Sequence, residues 1–152
     1  MQKYNEARKE LFERIGESSK MVLATSVDNI VSARTVSILS INGMFYFQTD
    51  RSMDKAREIA VNPNVALCIK EIQIKGICCD IGNPQSDKNG FFIEKFQEFF
   101  PSAYAKYSHL DNETVFEIKP TMAKTWRYIN ECQCIEYIDF LKEEYRCEQY
   151  RL

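Results

Sequence analysis

Four polar side chains between positions 34 and 55 could together hold a phosphate group: Arg34, Thr49, Ser52 and Lys55. Arginine offers a fork of donors, lysine offers a compact positive charge, and both hydroxyls can donate hydrogen bonds. A helix is predicted to begin near Ser52, and the first turn of a helix attracts anions through its free N–H groups and its dipole. The alternative is a solvated rim of cations in which Ser52 only caps the helix.

A predicted β-hairpin places these side chains near one another. Asn42-Gly43 is typical of a two-residue type I′ turn, because both positions of that turn need a positive φ. With this turn Val36 faces Thr49 across the strands, and Arg34 lies diagonally from Thr49 on the same face of the sheet. We therefore expect the phosphate-binding side chains to meet where the second strand ends and the helix begins.

Hydrophobic periodicity and turn residues predict mostly antiparallel strands with helices between the hairpins. Helices are predicted at about 3–17, 52–60 and 89–100, and strands at 21–27, 30–41, 44–49, 65–70, 72–81, 113–119, 121–128 and 134–139. Residues 102–112 are expected to form a polar connection and 140–150 a charged helix. Strands do not alternate singly with helices, which excludes a Rossmann sheet. The expected architecture is mainly β with flanking helices, as an antiparallel split β-barrel.

Length and composition predict one globular domain, residues 1–152, with a core at about 18–128 and a strand-and-helix extension at about 132–152. The net charge of −2 argues against nucleic acid as the main partner. No apolar run approaches the roughly 18 residues of a membrane span, and the charged N-terminus does not look like a signal peptide. We therefore expect a cytoplasmic protein without a membrane partner.

The six cysteines are expected to be reduced thiols that pack as small hydrophobic side chains. A metal site would have to use Cys78, Cys79, Cys132 and Cys134, with His109 as a fifth candidate ligand. Neither cysteine pair has the Cys-x-x-Cys spacing usual for zinc, and adjacent residues of a strand point to opposite faces. No metal is therefore expected.

Several short motifs follow one another in a characteristic order. They are Arg34-Thr35-Val36, Phe47-Gln48-Thr49, Lys55, Asn62-Pro63, the strands 65–69 and 72–76, and Pro120 followed by Trp126. This ordered set resembles the pyridoxamine 5′-phosphate oxidase-like proteins over residues 18–128. The resemblance implies the fold of that family, a split barrel that binds FMN.

The resemblance also implies roles for individual residues in an FMN site at a homodimer interface. Thr35, Val36 and Gln48 would follow the flavin ring along the hairpin, while Gln73 and Trp126 match positions that the second subunit contributes. From the residues alone, Gln73 is equally explained as a polar turn residue, and Trp126 as a core or interface aromatic.

The chain departs from the family pattern in the phosphate loop and in the substrate site. Met53 is expected at the FMN site because it occupies the phosphate-loop position at which many relatives carry a serine, and Ser52 lies one place early. True oxidases carry a substrate lysine where this chain has Leu39, and the histidine of their Arg-x-His motif is missing after Arg127. A substrate phosphate would lack a cationic partner, so oxidation of pyridoxamine phosphate is not expected.

These observations favour an oxidoreductase that reduces a small electron-poor compound through bound FMN, with NADH or NADPH as the candidate electron donor. FMN supplies the redox chemistry, so no side chain is assigned a catalytic role. Two alternatives remain open. One is a flavin-binding sensor or storage module without turnover, and the other is a haem-handling split barrel with His109 as its candidate ligand.

Overall fold

The structure is a computed structural model and describes residues 1–150. The helices and strands are α1 (Gln2–Ile15), β1 (Ser18–Val27), β2 (Ile30–Ile41), β3 (Met44–Asp50), α2 (Asp54–Val61), β4 (Asn64–Ile69), β5 (Ile72–Gly82), α3 (Gly90–Phe99), α4 (Pro101–Tyr107), β6 (Glu113–Ile129), β7 (Cys132–Asp139) and β8 (Glu144–Gln149), with a 3₁₀ turn at Asp87–Asn89.

All strand pairs are antiparallel, in the order β3-β2-β1-β4-β5-β6-β7-β8. A further pairing of β3 with β6 closes the first six strands into a barrel. Strands β7 and β8 extend the sheet beyond β6. The predicted antiparallel barrel with flanking helices is confirmed.

The hairpin turns form as the sequence predicts. Asn42 and Gly43 have φ values of 50° and 79°, and Asp28 and Asn29 have 52° and 65°. These are the left-handed conformations that a two-residue type I′ turn requires. The turn at Asn42-Gly43 therefore joins β2 directly to β3.

The two strands of this hairpin separate soon after the turn. They pair only from Ile41↔Met44 to Leu39↔Tyr46, so the predicted pairing of Val36 with Thr49 is wrong. The reason is that β3 pairs with β6 along most of its length, whereas β2 follows β1 along nearly all of its own. The barrel is therefore split between β2 and β3.

Three other predictions about the second half of the chain are corrected. The strands predicted at 113–119 and 121–128 are one strand, β6, and Pro120 lies at a register shift opposite Gly76. The predicted connection at 102–112 contains helix α4, which begins at Pro101, a residue well suited to the first helical position. The predicted helix at 140–150 contains a strand, β8. Residues 151–152 of the predicted extension lie outside the described part.

The main hydrophobic core fills the barrel, and a second hydrophobic cluster lies on its outer face, beside the split. Leu39, Tyr46 and Val115 come from β2, β3 and β6, and they pack against Phe92 and Phe96 of α3. This contact holds α3 and α4 over the place where the hairpin separates. None of the helices among residues 1–150 combines the length and the apolar composition needed to cross a membrane.

Candidate functional site

A cleft of about 390 Å³ opens where β2 separates from β3. Its volume lies within the range of small-molecule sites, which is roughly 300–1,000 Å³. The lining residues come from β2, β3, the start of α2, the two helices above the split and the start of β6: Thr35, Val36, Ser37, Gln48, Thr49, Asp50, Met53, Lys55, Phe96, Ala103, Tyr107, Leu110 and Glu113.

The cleft brings together six of the residues that the sequence predicts for the site. They are Thr35, Val36, Gln48, Thr49, Met53 and Lys55. Residues 35–37 of β2 and 48–50 of β3 line the cleft and are not paired with each other. The split therefore provides main-chain donors and acceptors as well as side chains.

Lys55 is the cation of the cleft. It lies in the first turn of α2, where burial and the neighbouring Arg34 lower the pKa of its ammonium group, while Glu113 acts in the opposite direction. Within residues 1–150 Lys55 forms no salt bridge. In the described part of the chain no side chain caps the N-terminus of α2, which begins after Met53. A partly desolvated ammonium beside an uncapped helix terminus is suited to an anion.

Arg34 lies beside the cleft but does not line it. Its Nη1 donates to the carbonyl oxygen of Leu23 at 3.2 Å and to Oγ1 of Thr25 at 2.9 Å. Its Nη2 donates to Oε1 of Glu58 at 2.9 Å in a salt bridge that is mostly shielded from solvent. Arg34 therefore connects β1, β2 and α2, and its guanidinium is engaged before any ligand binds.

Ser52 is also engaged elsewhere. Its backbone N and its Oγ both donate to Oδ1 of Asp50 at 2.7 Å, and Asn112 donates to the same oxygen at 2.6 Å. These hydrogen bonds, those from Ser52 first, lower the pKa of Asp50. Ser52 thus shapes the connection between β3 and α2 instead of lining the cleft.

Glu113 is a cleft residue that the sequence does not reveal. It is only 5 % exposed, and its Oε2 accepts a hydrogen bond of 3.2 Å from Nε2 of Gln48. Gln48 in turn accepts a hydrogen bond of 2.9 Å from Oγ of the buried Ser108. Burial, together with the nearby Asp50, raises the pKa of Glu113. The cleft therefore contains a carboxylate as well as a cation.

A family model described as Pyridoxamine 5′-phosphate oxidase matches residues 7–127 of the chain. The chain belongs to this family. The match includes β1 to β5, β6 up to Arg127 and the whole cleft. None of the curated proteins compared with the chain matches it.

Solved structures share the fold at low sequence identity. A pyridoxamine 5′-phosphate oxidase-related, FMN binding protein of Nostoc punctiforme is 15% identical, with 98% of this chain and 93% of that chain covered and a TM-score of 0.60. PhzG of Burkholderia lata, in complex with tetrahydrophenazine-1-carboxylic acid, is 15% identical, with 99% and 90% covered and a TM-score of 0.63. HutZ, the heme storage protein of Vibrio cholerae, is 16% identical, with 76% and 89% covered and a TM-score of 0.62. Such identities show a common fold alone.

In this member of the pyridoxamine 5′-phosphate oxidase family, Gln73 and Trp126 lie outside the cleft of their own chain. Gln73 pairs with Cys68 and Lys124 on the outer face of the sheet. Trp126 follows Lys124 on the same face, and its ring lies 5.3 Å from that of Tyr150. The structure thus does not bring these two residues together with the other predicted site residues.

Arg51 holds the connection between β3 and α2 through contacts that the sequence does not reveal. Nε of Arg51 donates to Oδ2 of Asp80 at 3.3 Å, and its Nη2 donates to Oγ1 of Thr114 at 3.1 Å. These contacts tie the connection to β5 and β6. The connection that leads into α2 is therefore held against the sheet.

The cysteines lie away from the cleft. Cys78 is buried in the barrel, where desolvation raises its pKa to about 12. No group of three metal-ligating side chains is found in the described part of the chain. His109 is exposed in the connection between α4 and β6.

Proposed function

We propose that the protein binds FMN in the cleft between β2 and β3 and acts as an oxidoreductase on a small electron-poor compound. The observation that carries the proposal is Lys55, a partly desolvated cation beside an uncapped helix terminus in a cleft opened by the split hairpin. Membership of the pyridoxamine 5′-phosphate oxidase family supports it, as does the fold shared with an FMN binding protein of Nostoc punctiforme.

The residues of the cleft fit the two ends of FMN. Lys55, the first N–H groups of α2 and the hydroxyl of Thr49 suit the phosphate. The apolar walls formed by Phe96 and Tyr107 suit the ring, whose polar edge can bond to the free backbone of the split hairpin. Bound FMN supplies hydride and electron transfer, while the protein positions it and excludes water.

The structure around two family positions supports a substrate other than pyridoxamine phosphate. Leu39, which stands in place of the oxidases' substrate lysine, is fully buried beneath α3. Arg127 is paired with Glu10 and Glu136. Neither position offers a free cation for a second phosphate. A neutral compound therefore suits the site better than a phosphorylated one.

We further propose that the protein is a homodimer in which each cleft is completed by the partner. Gln73 and Trp126 lie on the outer face of the sheet and can meet a flavin only in a second copy. The same face exposes Val22, Ile77 and Met122, with exposed fractions of 40%, 42% and 37%. Apolar side chains that are spread over a sheet face are typical of a surface that another subunit covers.

Subunit complementation tests the shared site. Lys55→Ala and Trp126→Ala would each damage every site of a homodimer, because each removes one of the two contributors. In a heterodimer of the two variants, one of the two sites regains both residues, so random mixing should restore roughly one quarter of the sites. FMN titration after the variants are mixed, unfolded and refolded together measures the recovery. Variants refolded separately and then combined at low temperature are the control.

If the mixture binds no more FMN than the separate variants, the shared site is refuted. Light scattering of the protein with bound FMN gives an independent measurement. A species at the monomer mass of 17.8 kDa whose sites are all filled with FMN would also refute the shared site.

Anaerobic stopped-flow spectroscopy tests the reaction. We expect NADH or NADPH to reduce the bound flavin, and nitroaromatic compounds or quinones to reoxidise it, with negligible formation of pyridoxal phosphate from pyridoxamine phosphate. A flavin that neither nicotinamide reduces would favour a sensor or storage role. Tight binding of haem in place of FMN, lost in His109→Ala, would favour a haem-handling role. Rapid formation of pyridoxal phosphate would overturn the substrate argument.

A further inference from the structure

The buried carboxylate of Glu113 takes no part in the phosphate and ring contacts proposed for FMN. Glu113 lines the same cleft as Lys55 and receives one hydrogen bond, from Gln48 to Oε2. Its Oε1 accepts no hydrogen bond from the described part of the chain. A carboxylate that is only 5% exposed and has a single hydrogen-bond donor is costly to keep charged. What enters the cleft therefore affects whether Glu113 carries a proton.

The charged groups near Glu113 come from β3, from α2 and from the connection before β6. Asp50 is its direct partner in the β3–β6 ladder, and like charges at opposite positions repel. Lys55 on α2 attracts the Glu113 carboxylate. The positive charge of Arg34 is neutralised by its salt bridge with Glu58. The connection before β6 adds His109 and Asp111, which are both exposed. A phosphate dianion beside Lys55 would thus enter a region with two carboxylates and one uncompensated cation.

Resting on the proposed FMN site, we propose that Glu113 takes up one proton from solvent when a phosphate dianion occupies the cleft beside Lys55. The proton removes one negative charge next to the incoming dianion. It also gives Glu113 an O–H group that can donate to a phosphate oxygen. Glu113 would thereby make the cleft's preference for FMN over riboflavin depend on pH.

The surroundings of the two carboxylates indicate which of them takes the proton. Asp50 accepts hydrogen bonds from Ser52 and Asn112, which favour its charged form and lower its pKa. Glu113 has a single donor, and burial raises its pKa. When two neighbouring carboxyl groups differ in this way, the one that is less well solvated holds the proton.

Calorimetric titration of the flavin-free protein in two buffers of different ionisation enthalpy measures the proton uptake directly. The measurement belongs between about pH 7.5 and 9, because a phosphate monoester, with its second pKa of about 6, is a dianion there. We expect uptake of close to one proton with FMN and none with riboflavin. The Kd for FMN should then rise with pH by up to about tenfold per unit.

Variants distinguish Glu113 from Lys55, which could itself bind a proton in this range. Glu113→Gln should abolish the uptake and make the Kd independent of pH, whereas Lys55→Arg, whose charge is permanent, should retain the uptake. Glu117→Gln is the matched control, because Glu117 lies on the same strand outside the cleft and accepts from Tyr46. Uptake that persists in Glu113→Gln would assign the proton to Lys55 and overturn the inference.

The outcome for the wild-type protein separates the two proposals. FMN binding without proton uptake, at a Kd that does not change with pH, overturns the role of Glu113 and leaves the FMN site intact. Failure to bind FMN at any pH refutes the proposed function itself. Neither result depends on whether a variant folds.

Discussion

Lys55→Ala is expected to weaken FMN binding by roughly 30- to 150-fold, which corresponds to about 2–3 kcal/mol, and to leave riboflavin binding nearly unchanged. The reason is that Lys55 lines the cleft and forms no salt bridge with the residues that the structure describes, while riboflavin lacks the phosphate that Lys55 would contact. Alanine is a good helix former, so α2 should persist in the variant. Quenching of flavin fluorescence measures both affinities.

Lys9→Ala is the matched control for this prediction. Lys9 also lies on a helix, is highly exposed and has Glu13 as its neighbour one turn later. Its removal should change neither affinity. An equal loss of FMN and riboflavin binding in Lys55→Ala would mean that Lys55 supports the cleft without contacting the phosphate.

Local signals predicted the hairpins, whereas the split between β2 and β3 depends on distant sequence. A type I′ turn at Asn42-Gly43 is determined by its own two residues. How far the two strands stay paired is determined by β6, which pairs with β3 from Phe45 to Asp50. No pattern within the hairpin shows that competition. Six residues of the cleft were therefore predictable from the hairpin and the start of the helix, but the opening between the strands was not.

The C-terminal strand was missed because its pattern is that of a solvent-exposed edge. Strand β8 exposes almost every residue and buries only Tyr145 in part. A charged segment without alternating hydrophobic residues is typical of a surface helix, yet charged side chains also protect the free edge of a sheet. Pro120 was interpreted as a break between two strands because proline has no N–H to donate to a neighbouring strand. In the structure, a register irregularity opposite Gly76 accommodates it within β6.

In the site, too, some residues were predictable from local sequence and others were not. The presence of Thr49 and Lys55 could be predicted because one lies at the end of a strand and the other at the start of the next helix. Glu58 forms a salt bridge with Arg34, and Glu113 lies near Lys55. Both carboxylates come close to these cations through tertiary contacts. Sequence spacing gave no reason to place either carboxylate there. As a result, the prediction that Arg34 contacts the phosphate did not include its salt bridge with Glu58.

Arg34→Ala is expected to lower the free energy of unfolding by about 2 kcal/mol, because it leaves the Glu58 carboxylate without a cation and Thr25 without its donor. Urea denaturation of the flavin-free protein measures this effect. The matched comparison is a cycle of Arg34→Ala, Glu58→Ala and the double variant. Since the two side chains are mostly shielded from solvent, we expect a coupling energy of about 1–2 kcal/mol, with the double variant less destabilised than the sum of the single variants.

The same variants decide between a structural and a phosphate-binding role for Arg34. If Arg34 mainly holds α2 against β1 and β2, then Arg34→Ala should weaken FMN and riboflavin binding to a similar extent, and Glu58→Ala should do the same. A selective loss of FMN binding in Arg34→Ala, together with tighter FMN binding in Glu58→Ala, would show instead that Glu58 competes with the phosphate for Arg34. The present hydrogen bonds of Arg34, at 2.9 Å to both Thr25 and Glu58, favour the structural role.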